Sequence, residues 1–283
     1  NGKKWVLENI PYYARWYRLQ LFWGFCDGIH ESLCKDPNWH FPERSINHTN
    51  ERFRINMIKH IESLIGNNKE LLDKVIPDYP PYGKRMLMDN NWFEMLKKEN
   101  VNLITDKINY INQNSIITNN NSYNIDAIVT ATGFNAGKMI WPIEVLGKNG
   151  TNLNDYWEDD NPRAHIGITV PNFPNFFMMY GPNTNLAHGG SIVFQGECQI
   201  RYILGCINLL LEKNYNNMDC KTESYIKYNT KLDEQHAQMV WTHNKVDSWY
   251  RNKAGRVTTN SPWRLVDYWN FTKEPKESDY IFN

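Results

Sequence analysis

No GxGxxG run occurs anywhere in this 283-residue chain. The pair Gly189-Gly190 and the separate Gly133 and Gly137 have neither that spacing nor the helix that should follow it. No complete dinucleotide cradle is therefore written into these residues. CxxC spacing is missing too. The five cysteines, Cys26, Cys34, Cys198, Cys206 and Cys220, are odd in number, and Cys198 and Cys206 fall on one expected helix about two turns apart, too far to bridge. That pattern speaks against a disulfide framework and for a reduced, cytoplasmic compartment. Net charge is zero, so the electrostatic footprint for nucleic acid or an acidic membrane is absent. No uninterrupted apolar run is long enough to span a bilayer. His236 and His243 lack a carboxylate at useful spacing, His188 is a poor candidate for a general base, and no metal-ligand cluster is visible. Asn47-His48-Thr49 satisfies the glycosylation triplet, which arises easily by chance in an Asn-rich chain. The sequence opens on Asn1 rather than Met.

Among what is present, the run NIDAIVTATGF (124–134) is the most informative. Ile125, Ala127, Ile128 and Val129 make a nearly continuous apolar stretch, as in a strand buried on both faces of a parallel sheet. It ends at Ala131-Thr132-Gly133, where small residues let backbone approach a ligand beyond a strand's carboxyl end. Upstream, Val101 to Thr105 reads as a strand. Lys107 to Ile111, Ser115 to Thr118 and Tyr123 to Val129 follow as alternating segments joined by Asn-rich turns, a small antiparallel meander. Downstream, Pro174 to Tyr180 reads as another buried strand. Gly181-Pro182-Asn183 and a glycine-bearing loop follow, and then an apolar helix from about Ser191 to Glu212. Strand, loop and helix start is a geometry that turns backbone N–H groups toward an electron-rich ligand.

The first eighty residues are helical and rich in aromatics. Trp5 to Phe25 crowds Trp, Tyr, Leu and Phe around Arg15, Arg18 and Gln20. A helix lying in a membrane interface is one reading, and a buried helical insertion packed on a nucleotide domain is the preferred one. Helices are expected over Asn56 to Ile65 and Lys69 to Val75. Pro77, Pro80 and Pro81 then form the best internal boundary.

Four runs in order carry a family resemblance: PDYPPYGKRMLMDNNWFEMLKKENVNLITD, DAIVTATGF, ITVPNFPNFFMMYGPNTNLAHGGS and VDSWYRNKAGRVTTNSPWRLVDYW. Together they resemble the C-terminal part of class B flavin-dependent monooxygenases of the Baeyer–Villiger type, with the 4-hydroxyacetophenone monooxygenase branch nearest. The resemblance implies an α/β, two-dinucleotide-binding-domain flavoprotein fold (Rossmann-like, binding FAD and NAD(P)), here partial and with a helical insertion. The expected division is residues 1–82 as helical insertion of the NADP domain, 83–135 as the rest of that domain with its meander, and 136–283 as the return to the FAD domain. Those enzymes carry two GxGxxG motifs, so the chain is expected to be a fragment without its N-terminal half or a truncated gene product.

The resemblance also assigns residues. Lys84 and Arg85 are adjacent in GKRMLM, expected to be a strand, and so should point to opposite faces. In the family the lysine meets the 2′-phosphate of NADP and the arginine stabilises the flavin peroxide, an anion that a permanently charged guanidinium suits well. The matching Trp, here Trp249, lies against the NADP ribose and nicotinamide. Thr132, Gly133, Asn183, Thr184 and Asn185 are expected on the flavin side. The cofactors implied are FAD and NADPH. The substrates would be O₂ and a ketone or other hydrophobic small molecule, converted to an ester or lactone. Oxygenation of an amine or sulfide, and a flavin-free, non-catalytic binding domain, stand as alternatives.

Overall fold

The computed structural model describes residues 2–158, 160–187 and 189–283. Its backbone contacts gather into two compact units: residues 1–52, 79–86 and 136–283 form the larger, and residues 53–78 and 87–135 the smaller. The chain crosses between them at 52/53, at 78/79 inside the proline cluster, and again at 86/87 and 135/136.

The larger unit opens with α1 (Gly2–Asn9) and α2 (Tyr13–Phe25), separated at Pro11. Neither helix buries a residue. Trp16 and Trp23 are exposed by 70% and 67%, which corrects the expectation of a buried insertion. The reason lies in the pattern: apolar side chains circle α2 instead of forming one stripe, so no single neighbour could cover them. Helix α3 (His48–Ile65) begins at Asn47, whose Oδ1 accepts from Asn50 N–H while its Nδ2 holds Glu31 O and Cys34 O. The glycosylation triplet is thus a helix cap in the structure.

In the smaller unit, Ile61 and Ile65 of α3 pack with Leu71 of α4 (Lys69–Val75) and with Leu96, just past α5 (Trp92–Met95). Asn68 caps α4 by accepting from Leu71 N–H at 3.1 Å. The meander forms as β1 (Ile108–Ile111), β2 (Ser115–Thr118) and β3 (Ser122–Asn124), antiparallel in sequence order, with Ser115 opposite Asn124. Asn112 Oδ1 accepts from Asn114 and Ser115 N–H to make the first turn. Two expectations fail here. Val101 to Thr105 is not a strand, although Val101 and Leu103 pack against the α3–α4 core. The run 125–134 is not a strand either; Val129 is 91% and Phe134 99% exposed. A parallel strand is held by ladders on its flanks, and among the described residues nothing pairs with this one beyond Ile125 N–H to Asn114 O.

The remainder of the larger unit is built on α7 (Ile192–Lys213), which follows the short α6 (Leu153–Tyr156). Ser191 caps α7 by accepting from Phe194 N–H, and Asn214 ends it in the left-handed conformation. Cys198, Gln199, Tyr202 and Cys206 form its buried face, the three-to-four spacing of a helix with one side in a core. β4 (Met218–Cys220) pairs with the C-terminal β5 (Tyr280–Phe282), and between them lie α8 (Thr222–Ala237) and α9 (Leu265–Phe271). Tyr202, Cys206, Met218, Cys220 and Tyr280 share one core with Ile166 and Ile168. All five cysteines are free. Pro174 to Tyr180 is irregular rather than a strand, because Asn175 and Tyr180 adopt positive φ (56° and 57°) and break the pleat. Met178 still packs inward, its N–H on Ile168 O at 2.9 Å. Among the described residues no helix is long and apolar enough to cross a membrane.

Candidate functional site

Three segments of the larger unit meet: 79–86, the loop 180–187, and the stretch 246–261. Packing of the first against the third requires a glycine. A Cβ on Gly83 would lie 2.5 Å from Val246 Cγ2 and 3.1 Å from Pro80 O. The fully buried Asn50 fixes the same turn by donating to Pro81 O at 3.0 Å and to Ser32 O at 3.1 Å. The expected strand GKRMLM is therefore an irregular segment, pinned by its glycine and by Asn50.

Lys84 and Arg85 leave this segment toward different partners. Lys84 is half-buried, its Nζ 4.8 Å above the Tyr79 ring, a cation–π contact. Arg85 is exposed and donates through Nη1 to Leu186 O at 2.9 Å. One contact to a carbonyl leaves most of the guanidinium's five donors available. Around it stand two tyrosines. Burial pushes Tyr250 up to about 12, and burial also raises Tyr180, while the Arg85 charge works in the opposite direction on both. Tyr250 is fully buried and its hydroxyl has no partner among the described residues. Trp249, beside it, is 48% exposed and meets the Tyr250 ring edge-on at 4.7 Å. It lies outside any helix or strand.

The loop carrying Leu186 is held by hydrogen bonds on both sides. Asn183 N–H donates to Thr258 O (3.1 Å), Asn185 N–H to Thr259 O (2.9 Å) and Ser261 N–H to Asn185 O (2.9 Å). Asn183 Nδ2 donates to Val257 O and Asn260 O, and its Oδ1 accepts from Arg256 Nη2 at 3.4 Å. Thr184 Oγ1 donates to Gly181 O, Asn185 Oδ1 accepts from the Tyr180 hydroxyl, and Asn185 Nδ2 donates to Asn260 Oδ1. Gly167 lets the loop close, since a Cβ there would fall 2.1 Å from Thr184 Cγ2. The polar groups of Asn183, Thr184 and Asn185 are thus engaged, by the loop itself and by the 256–260 stretch. They build the platform that grips Arg85.

Thr132 and Gly133 belong to the smaller unit, where both are exposed and Gly133 has φ +82° with open space around it. The structure brings Lys84, Arg85, Asn183, Thr184, Asn185 and Trp249 into one unit. His188 lies outside the described residues. His236 is buried under Arg256, and burial together with that charge pushes it down to about 3. Among the described residues no His, Cys, Asp or Glu group could hold a metal.

Sequence reasoning missed Tyr180, Tyr250, Arg256 and Asn260. A signal for the last existed: Asn183-Thr184-Asn185 and Thr258-Thr259-Asn260 are matched polar runs, and the structure joins them through a parallel bridge at Asn185 and Asn260.

No family model matches the chain. Among curated proteins it is 41% identical over 278 residues to an uncharacterized monooxygenase, y4iD, of Sinorhizobium fredii, covering 98% of this chain and 42% of that protein. It is 35% identical over 213 residues to a Baeyer-Villiger monooxygenase of Pseudomonas aeruginosa, covering 74% of this chain and 40% of the relative. The FAD-binding monooxygenase ktnD of Aspergillus niger is 32% identical over 225 residues, 78% of this chain and 37% of the relative. The chain therefore spans less than half the length of these relatives. A solved steroid monooxygenase bound to NADP superposes with a TM-score of 0.72 at 21% identity, over 88% of this chain and 46% of that one. A cyclohexanone monooxygenase from Rhodococcus bound to NADP+ gives 0.70 at 24%, over 83% and 45%. The fold is that of the α/β flavoprotein monooxygenases with two dinucleotide-binding domains, and the chain belongs to the family that contains the Baeyer–Villiger enzymes.

Proposed function

We propose that these residues form the oxygenation-side portion of an FAD- and NADPH-dependent monooxygenase that inserts oxygen into a ketone. The observation that carries this reading is Arg85, an exposed guanidinium fixed by Leu186 O at 2.9 Å and flanked by Tyr180 and Tyr250. The donor set suits the electron-rich edge of a flavin: Arg85 is exposed and spends one donor on Leu186 O, which leaves most of its guanidinium N–H groups free. The pyrophosphate cradles are not among these residues, as the lack of GxGxxG requires.

When bound, FAD and NADPH supply the reducing equivalents and the activation of O₂. The chain's own residues would act as follows. Arg85 offers permanent positive charge and paired donors where negative charge develops on oxygen. Leu186 O, held by the 183–185 and 257–261 pairing, keeps the guanidinium from reorganising. Lys84 offers a point charge for the 2′-phosphate of NADPH, and Trp249 an indole wall for its ribose and nicotinamide. Thr132 and Gly133 offer a hydroxyl and an unobstructed backbone on the flavin side. Oxygenation of an amine or sulfide would place less demand on Arg85, because a neutral, protonated oxygen donor serves there. Five free cysteines suit a reducing, cytoplasmic setting.

Arg85→Ala in the flavin-loaded enzyme tests the reading. NADPH oxidation should continue in part, while ester formation falls about a hundredfold or more, the loss of one charge-assisted contact in a dry site. Hydrogen peroxide should replace the missing product. Unchanged ester yield per NADPH would remove Arg85 from the chemistry, and absence of ester from the unsubstituted enzyme would overturn the ketone assignment.

A further inference from the structure

Beside Arg256 and His236, which hold Asn183, the larger unit has a pocket of about 580 Å³. Lys35, Arg163 and Arg256 line it, and Asp233 is the one carboxylate among its lining residues. Arg163 Nη1 and Arg256 Nε share that carboxylate, each at 2.9 Å. Among the described residues Lys35 pairs with no acid: its Nζ donates to Ala237 O (3.0 Å) and Thr242 Oγ1 (2.7 Å), where it offsets part of the α8 C-terminal dipole. Three cations against one carboxylate leave about two charges uncompensated, less the share Lys35 gives to those carbonyls. The neighbours feel this excess. Burial lowers Lys35 and the charge of Arg251 adds to it; burial lowers Arg256 too, and Arg163 opposes the relief that Asp233 supplies.

His236 lines the same pocket and is 3% exposed. Its Nε2 stands 3.3 Å from Asn183 Nδ2. Burial and the Arg256 charge push it down to about 3, so at neutral pH it is uncharged and the charge of the wall is set by Lys35, Arg163, Arg256 and Asp233.

We propose that this pocket binds a doubly charged oxyanion of the phosphate class, at a site separate from the one around Arg85. Arg163 supplies the unengaged guanidinium donors, and Lys35 and Arg256 the field. Occupancy would brace Arg256, which holds Asn183, and so stiffen the loop that grips Arg85. The inference stands on the pocket's own groups and does not depend on the flavin reading.

The test is calorimetric titration of the chain with inorganic phosphate and with sulfate at constant ionic strength, with chloride as the control. Saturable one-site binding is expected for both dianions. Arg163→Gln should weaken it about tenfold, the usual worth of a charge-assisted hydrogen bond. Asp233→Asn removes the competing carboxylate and should tighten it by a similar factor, a gain that misfolding does not produce. Glycerol phosphate binding more tightly than inorganic phosphate would identify the source as a phosphate monoester; the reverse order would identify the free ion. Heat indistinguishable from chloride in the wild type would overturn the proposal. So would equal affinity in a folded Arg163→Gln variant, or competition by NADP+, which would place the pocket in cofactor binding.

Discussion

The loop 181–187 and the run 125–134 make opposite use of similar raw material. Both follow segments with the composition of buried strands, and both contain a glycine where the backbone should approach a ligand. Six of the loop's seven residues are buried, and its amides pair with 257–261. The apolar run, with β-forming residues that any propensity scale would favour, lies almost wholly exposed. The difference is the source of hydrogen bonds. The loop's amides and the Asn183 and Asn185 side chains find partners in the 256–261 stretch, and Thr184 Oγ1 adds a local bond to Gly181 O. Among the described residues the run 125–134 has no such facing stretch, and a strand takes its form from neighbours on either side.

The largest effect expected from this contrast is on stability. Asn183→Ala strands Val257 O and Asn260 O and releases Arg256, and should cost about 3 kcal/mol. Urea unfolding followed by tryptophan fluorescence measures it. A loss under about 1 kcal/mol would mean the loop is held by packing instead. Next is pH. His236 is held near 3 when folded and returns toward 6.5 when unfolded, so the unfolded chain binds the additional proton. Its contribution is complete above pH 6.5 and declines as pH falls toward 3, by up to about 1.4 kcal/mol per pH unit. His236→Gln should flatten that part of the stability profile, and an unaltered slope would show that another group titrates there.

Lys84→Ala should raise the NADPH Michaelis constant about tenfold and leave NADH kinetics nearly unchanged, since the charge discriminates only the 2′-phosphate. Equal losses with both cofactors would give Lys84 a packing role over Tyr79. The smallest effect belongs to the exposed run: Val129→Asn and Phe134→Ser should each shift the stability of the chain by less than about 0.5 kcal/mol. A larger loss from either would show that these side chains are covered in solution, which would erase the contrast with the loop.

What could be read from the sequence follows the same division. Helix α7, expected from about Ser191 to Glu212, and the Asn-turned meander were legible because their signals are local. Arg85 was reached through its neighbours in the GKRMLM run, and the structure adds the carbonyl that fixes it. The strands expected at 83–88, 101–105, 125–129 and 174–180 were not legible, because apolar periodicity reports burial and not what supplies the ladder. Tyr250 and Asn260 escaped notice because their importance rests on contacts to residues distant in the chain. The exposed aromatics of α1 and α2 were misread for the related reason that composition does not show how side chains are distributed around an axis.

The most direct measurement of the central claim is isotopic. The flavin-loaded enzyme containing these residues is given NADPH, a ketone and dioxygen labelled with heavy oxygen, and the product is weighed by mass spectrometry. An ester or lactone carrying one labelled atom, formed in step with NADPH consumed, is the predicted result. Unlabelled product, or turnover confined to amines and sulfides with the ketone returned unchanged, would contradict it.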